Sequence, residues 1–361
     1  MMNLLEYVLG EAKNQRLQKS DAMDLLRQLQ EERPQISAAL HPLLHANTSD
    51  LQEQRFSTRL SGEEFFLADH VVRGHRVLPA VVYLEMARAA VEKASGNEID
   101  REKNGIILKH VLWAHPVIVE EGGVTVHIGL HEAESGEIHY EIYSEEEEER
   151  VLHGSGTAVW EKLPAASSID IEGLRSQFQK EECNGSQCYE LFRAIGIEYG
   201  ARQRAIESLA KMQEEQGRQS VFAQINLPAT VSGTWSDYVL HPSVLDAALQ
   251  ASIGFAIDTA KKTQGVALPF ALDSLEILSP TPQRGWAIVR EAQGVSQLRK
   301  LDIEVYDEAG RSCIRLKGLS LRAVNEEEVE AETGTLLLEP VYVAQRTEER
   351  LKHIERSFSQ R

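Results

Sequence analysis

The chain has 361 residues, 42% apolar and 26% charged, the balance of a soluble globular protein with room for two core-forming units plus extensions. Its net charge of −18 argues against a nucleic-acid binder, whose phosphate contacts need clustered Lys and Arg. No apolar run approaches the ~20 residues of a membrane-spanning helix, and the first residues lack a basic-then-apolar leader, so no membrane association and a cytoplasmic protein are expected. Cys183, Cys188 and Cys313 are an odd count without ligand-spaced pairs, which points to reduced structural thiols rather than a disulfide framework or a zinc site.

Residues 1–45 read as a helical linker or docking segment. Leu4, Leu5, Val8 and Leu9 form one helical stripe. Ser20 and Asp21 suit the cap of a second helix, which Pro34 ends. The next unit, 46–165, opens with an apolar run, Phe65-Phe66-Leu67, and a tight turn at Gly74. Pro79 suits the first position of an apolar helix that runs to about Ser95. Five strand-like runs follow, at 105–113, 116–119, 124–130, 138–143 and 151–160, rich in β-branched and aromatic residues and punctuated by turns. The acidic run Glu145–Glu149 reads as a solvated hairpin end, since five adjacent carboxylates repel too strongly to converge on a metal.

The stretch 163–168 reads as a linker, and 166–325 as a second unit on the same plan. Short helices are expected at 171–180 and 189–195, and a strand at 221–227. Pro242 then opens another apolar helix, 163 residues after Pro79 (242 − 79), and strands follow at 275–278, 286–290, 300–306 and 312–321. The expected fold is α+β, two antiparallel sheets each wrapped around a central helix that is apolar on most faces. Residues 326–361 read as a charged linker into a following domain, with a strand-like patch at 336–342.

Two side chains stand out for chemistry. Asp246 lies among Leu245, Ala247, Ala248 and Leu249, where burial disfavours the ionised form and leaves a carboxylic acid able to donate a proton near neutral pH. Gln250, one turn on, shares its helix face and can orient it. His70, before the Gly74 turn, carries an imidazole, the ordinary general base of neutral solution. Read singly, each is met as well by a structural role: a satisfied buried aspartate, an ordinary turn histidine. Read together, a base and an acid from two halves suit removal of water from a β-hydroxy carbonyl compound, in which the base takes the α-proton and the acid protonates the leaving hydroxyl. Arg73 and Arg76 are read as solvated loop charges, with contact to a phosphate as the alternative.

The string His70-x3-Gly74-x4-Pro79 resembles the HxxxGxxxxP motif of polyketide synthase dehydratase domains, and His241-Pro242-x2-Leu245-Asp246-x3-Gln250 resembles their HPxxLDxxxQ motif. Gly196-Ile197-Glu198-Tyr199-Gly200 is similar to the GxxYGPxF stretch, with Ala201 and Gln203 in place of Pro and Phe. Leu268-Pro269-Phe270 is similar to LPFxW, with Leu272 in place of Trp. The resemblance covers roughly 43–325. It implies a double-hotdog fold, His70 as base and Asp246 as acid, with Gly74, Pro79, Tyr199, Gln250 and His241 in supporting or substrate-binding places. The Gly74 N–H, taken to lie near a helix start, is expected to bond the thioester carbonyl. It further implies a β-hydroxyacyl thioester on the phosphopantetheine arm of an acyl carrier protein, no other cofactor or metal, neighbouring synthase domains and a homodimer. Isomerase, pyran-forming cyclase and a catalytically silent docking domain are the alternatives on this fold.

Overall fold

A computed structural model describes residues 40–95, 104–146, 149–177, 183–213, 219–259, 267–292 and 300–323. The helices expected before Pro34 and the patch at 336–342 lie outside these residues. Among the described residues no helix is long and apolar enough to cross a membrane.

The first half runs β1 (Ala46–Asn47), β2 (Gln54–Leu60), α1 (Phe65–Ala68), β3 (His70–Val72), β4 (His75–Arg76), α2 (Ala80–Ala94), β5 (Gly105–Trp113), β6 (Val124–Glu132), β7 (Ile138–Glu146) and β8 (Glu149–Glu161). In the second come α3 (Ile171–Gln177), β9 (Cys183–Asn184), α4 (Gly185–Ala194), β10 (Ile197–Tyr199), β11 (Ile206–Gln213), β12 (Gln219–Asn226), α5 (Pro242–Gln250), β13 (Ala267–Ile277), β14 (Arg284–Glu291), β15 (Lys300–Asp307) and β16 (Ser312–Ala323). The repeat of an apolar helix followed by an antiparallel meander is present in both halves.

The two sheets are fused. β5 of the first half pairs antiparallel with β13 of the second, Leu108 opposite Leu275 and Leu112 opposite Ala271, so the described strands form one sheet in the order β1-β2-β6-β7-β8-β5-β13-β16-β15-β14-β12-β11-β9. α2 is buried from Val81 to Val91 and α5 along its whole length. These helices can be apolar on most faces because the sheet curves about them and each contacts the other. Each buried Val or Leu contributes about 1.5–3 kcal/mol, and the buried apolar residues of both halves join in one core running from Leu43 to Leu319. A smaller cluster covers the outer face of the second half, where Ile169, Ile171 and Leu174 pack on Phe222, Trp286, Ile288 and Tyr306.

Three differences from the sequence reading have physical causes. Residues 116–119 make no strand: Val77 and Ile118 form one isolated bridge, because only Arg76 at the end of the two-residue β4 and Leu78 just after it offer backbone partners, too short a stretch for a ladder. β2 and β11 were not expected, their apolar residues being diluted by Arg, Gln, Ser and Lys. Pro79 stands at the N-cap of α2, one residue before the position its fixed φ suits, whereas Pro242 does open α5.

Candidate active site

His70 sits on β3, whose neighbour is not in the main sheet. β3 pairs with β4 and, across the halves, with β10, placing Cα of His70 opposite Cα of Tyr199. Arg73 and Gly74 form the two-residue turn between β3 and β4, both at positive φ (49° and 88°), as a type I′ hairpin requires. Gly74 is therefore exposed at a hairpin tip five residues before the α2 N-cap (79 − 74). The expectation that its N–H lies near a helix start does not hold. Arg76 pairs with Glu63 at 3.2 Å on the surface.

The imidazole is fixed through one nitrogen. Nδ1 of His70 lies 2.7 Å from the carbonyl oxygen of Val77, which can only accept, so Nδ1 carries the hydrogen. In the neutral ring Nε2 then holds the lone pair. The ring meets that of Tyr199 edge-on, centroids 5.4 Å apart.

Asp246 comes from the second half, midway along α5. Nε2 of Gln250 donates to its Oδ2 at 2.7 Å and to the carbonyl of Gln203 at 3.3 Å. The Tyr189 hydroxyl donates to Oε1 of Gln250 at 3.1 Å while accepting the N–H of Ile206 at 3.0 Å. Burial pushes the Asp246 carboxyl above the usual carboxylate range; the nearby His70 charge and the Gln250 bond pull the other way without overcoming it. Burial, with the Asp246 charge added, also holds the Tyr199 phenol well above its ordinary value. His70, Asp246, Tyr199 and Gln250 thus form one buried group, each 3–8% exposed. A lone pair on nitrogen and a carboxyl that burial biases toward its protonated form can take one proton and give another.

The remaining expected residues lie around this group. His241 has no exposed surface and caps α5: its Nδ1 accepts the N–H of Ser243 at 3.3 Å, and Nε2 faces the Thr234 hydroxyl at 3.1 Å. Burial lowers its pKa to about 4, in keeping with a neutral ring that accepts on one side and donates on the other. It supports the helix of Asp246 from its N-terminal end.

Two ties between the halves were missed. Asp69, next to His70, takes a paired hydrogen bond from the Arg202 guanidinium (3.1 and 2.8 Å) and the Arg202 N–H at 2.7 Å, and the Arg202 carbonyl accepts the hydroxyl of Ser243 on α5 at 2.7 Å. Burial disfavours the Asp69 carboxylate, but the Arg202 bonds outweigh it and hold its pKa below the usual range. Gly200 is required here, because a Cβ would run into the Asp69 carboxyl. The second tie is Glu85 on α2, whose carboxylate accepts the N–H groups of Val239 and Leu240, both at 2.9 Å. Glu85 and Arg88 interrupt the apolar run of α2, and that was the sequence signal for Glu85; Arg202 carried none. Among the described residues no cluster of three or more His, Cys, Asp or Glu is placed to hold a metal ion.

A family model for the polyketide synthase dehydratase domain matches residues 41–145, and one described as the polyketide synthase dehydratase N-terminal domain matches 172–331. A solved trans-AT PKS dehydratase domain from Brevibacillus brevis is 45% identical, with a TM-score of 0.74 over 80% of this chain and 100% of that one. The chain belongs to the polyketide synthase dehydratase domains. Its fold is the double hotdog of those structures. This dehydratase domain is also similar to polyketide synthase PksM of Bacillus subtilis, 38% identical over 81% of the chain, and to PksN of the same organism, 42% identical over 80%. It spans only 7% and 5% of those synthases. The CurK dehydratase of the curacin synthase, 27% identical with a TM-score of 0.69 over 80% of this chain and 99% of that one, has been solved as an inactive mutant with a histidine changed to phenylalanine, and separately with an aspartate changed to asparagine.

Proposed function

We propose that this domain removes water from a β-hydroxyacyl thioester, carried on the phosphopantetheine arm of an acyl carrier protein, to give the α,β-unsaturated thioester. The observation that carries this is a buried carboxyl with raised pKa, Asp246 of one half, beside an imidazole of the other whose Nδ1 is committed to a backbone carbonyl. Nε2 of His70 takes the α-proton, and the electron pair of the breaking C–H bond becomes the new C=C bond through an enolate-like state. The C–O bond to the β-hydroxyl breaks as Asp246 delivers its proton, and water leaves. Transfer of the proton from the imidazolium back to the Asp246 carboxylate resets the pair. Gln250 holds the carboxyl, and Tyr199, kept un-ionised, presents a hydroxyl to the same space. The inactive histidine and aspartate mutants of CurK dehydratase support the same two roles here. We place the domain inside a longer synthase, beside other domains and as a homodimer, without a metal or diffusible cofactor.

Replacing His70 by Phe or Asp246 by Asn is expected to cut turnover of a carrier-bound β-hydroxyacyl thioester by at least ~10²–10⁴, with circular dichroism unchanged. Near-wild-type turnover in either variant refutes that residue's role. Enoyl product supplied to the wild type and followed by NMR separates dehydration from double-bond migration or ring closure. A carrier-binding domain that leaves every hydroxyacyl substrate intact is a docking module.

A further inference from the structure

Glu85 is a charged residue with no exposed surface, in the middle of the first half's central helix and outside the catalytic group. Its two oxygens receive five hydrogen bonds. Oε1 accepts from Val239 N (2.9 Å), Nη2 of Arg88 (3.0 Å) and Nε2 of His41 (3.1 Å); Oε2 accepts from Leu240 N (2.9 Å) and Nε of Arg88 (2.8 Å). Burial opposes the ionised form, but His41 and Arg88 outweigh it and hold the carboxyl below the usual carboxylate range. Arg88 is in turn held by Glu92 at 2.6 Å.

What the carboxylate grips matters more than its charge. Val239 and Leu240 are backbone of the second half, and the next residue, His241, is the N-cap of α5, five residues before Asp246. The same helix α2 begins at Ala80, one residue after its N-cap Pro79 and just past the loop whose Val77 carbonyl fixes the His70 ring. One rigid helix thus holds the ring's anchor at one end and the start of the acid's helix one and a half turns on.

The geometry points to Glu85 as the positioning residue that sets the separation of His70 and Asp246, acting through the peptide groups of residues 239 and 240. This rests on the dehydratase reading and adds to it a residue that touches neither substrate nor the reacting atoms. A carboxylate suits the task because both oxygens accept. In Glu85→Gln the new NH₂ faces at least one backbone N–H, two donors oppose each other, and the start of α5 must move away. A shift of about 1 Å in a catalytic group can cost ~10²-fold in rate.

The test is steady-state kinetics of Glu85→Gln across pH, with a titration of the Asp246 carboxyl by ¹³C NMR. The titratable groups facing Asp246 are His70, Tyr199 and Tyr189; those facing Glu85 are His41, Arg88, Tyr238 and His241. We expect kcat to fall by about 10–10² with KM little changed, and the alkaline limb of the kcat profile to move to lower pH as a displaced α5 admits water to Asp246. A folded Glu85→Gln with lower thermal stability but wild-type kcat and pH profile overturns the inference, because a purely structural residue changes stability alone. Where Glu85→Gln does not fold, His41→Ala, which removes one of the five donors, is expected to show a smaller fall in kcat with the same limb shift; wild-type values there overturn it equally. A wild-type chain inert toward every hydroxyacyl thioester defeats the dehydratase reading by itself. The substrate-free titration then still decides the matter: a lower Asp246 pKa in the variant supports the positioning role, and an unchanged one refutes it.

Discussion

A carboxyl shut away from water opposes folding whenever it is ionised, and Asp246 is such a group. In the unfolded chain it releases its proton at the ordinary carboxylate value of ~3.9; in the folded chain it holds the proton to higher pH. Between those two values the native state binds more protons than the unfolded state, so this residue makes stability fall as pH rises. Asp246→Asn keeps the shape and the hydrogen bond to Gln250 without the charge. We therefore expect the variant to match the wild type near pH 4 and to exceed it in Tm by a margin that widens toward neutral pH, while turnover is lost. Thermal unfolding at a series of pH values checks this, and a margin that stays flat with pH counts against it. The sequence made this residue legible because a lone carboxylate inside Leu-Asp-Ala-Ala-Leu is a contradiction that only burial or function resolves. It could not disclose Arg202, whose partner Asp69 is 133 residues away (202 − 69) and whose neighbours have no pattern.

At the scale of elements, the hairpin that follows His70 is set by its turn. Gly74 has φ of 88°, and a Cβ built there meets nothing, so the only cost of Gly74→Ala is conformational, about 1–2 kcal/mol. Urea unfolding of Gly74→Ala should show that loss with an unchanged slope. A neutral substitution would mean that the turn relaxes to another type. Most strands and both central helices were readable because β-branched runs and period-3.6 apolar stripes are local signals. What escaped was everything made by distant pairing: β10 against β3 is three residues long, and Ile197-Glu198-Tyr199 has no strand signature until Val71 and Val72 lie beside it.

Across the molecule, the halves share a sheet through β5 and β13 and a core through α2 and α5. Neither half encloses its apolar surface alone. Residues 41–323 are expected to unfold in one transition by both fluorescence and circular dichroism, and a fragment ending at residue 165 to fail to fold. Cys183, Cys188 and Cys313 are buried free thiols whose pKa values burial raises. They should stay unreactive toward a thiol reagent such as DTNB until that same transition. Labelling of the native protein within minutes would show that it opens locally. Two helix-on-sheet units could be anticipated from the two proline-opened helices. Their fusion into one sheet could not, since edge strands carry no mark of which neighbour they will take.

The strand pairing that sets His70 against Tyr199 is counted in whole residues. An extra residue between Gly196 and Tyr199 would turn the phenol to the opposite face of its small sheet, whereas exchanging side chains nearby leaves the count intact. What the site accepts can therefore be retuned by substitution, but not by insertion or deletion along that strand.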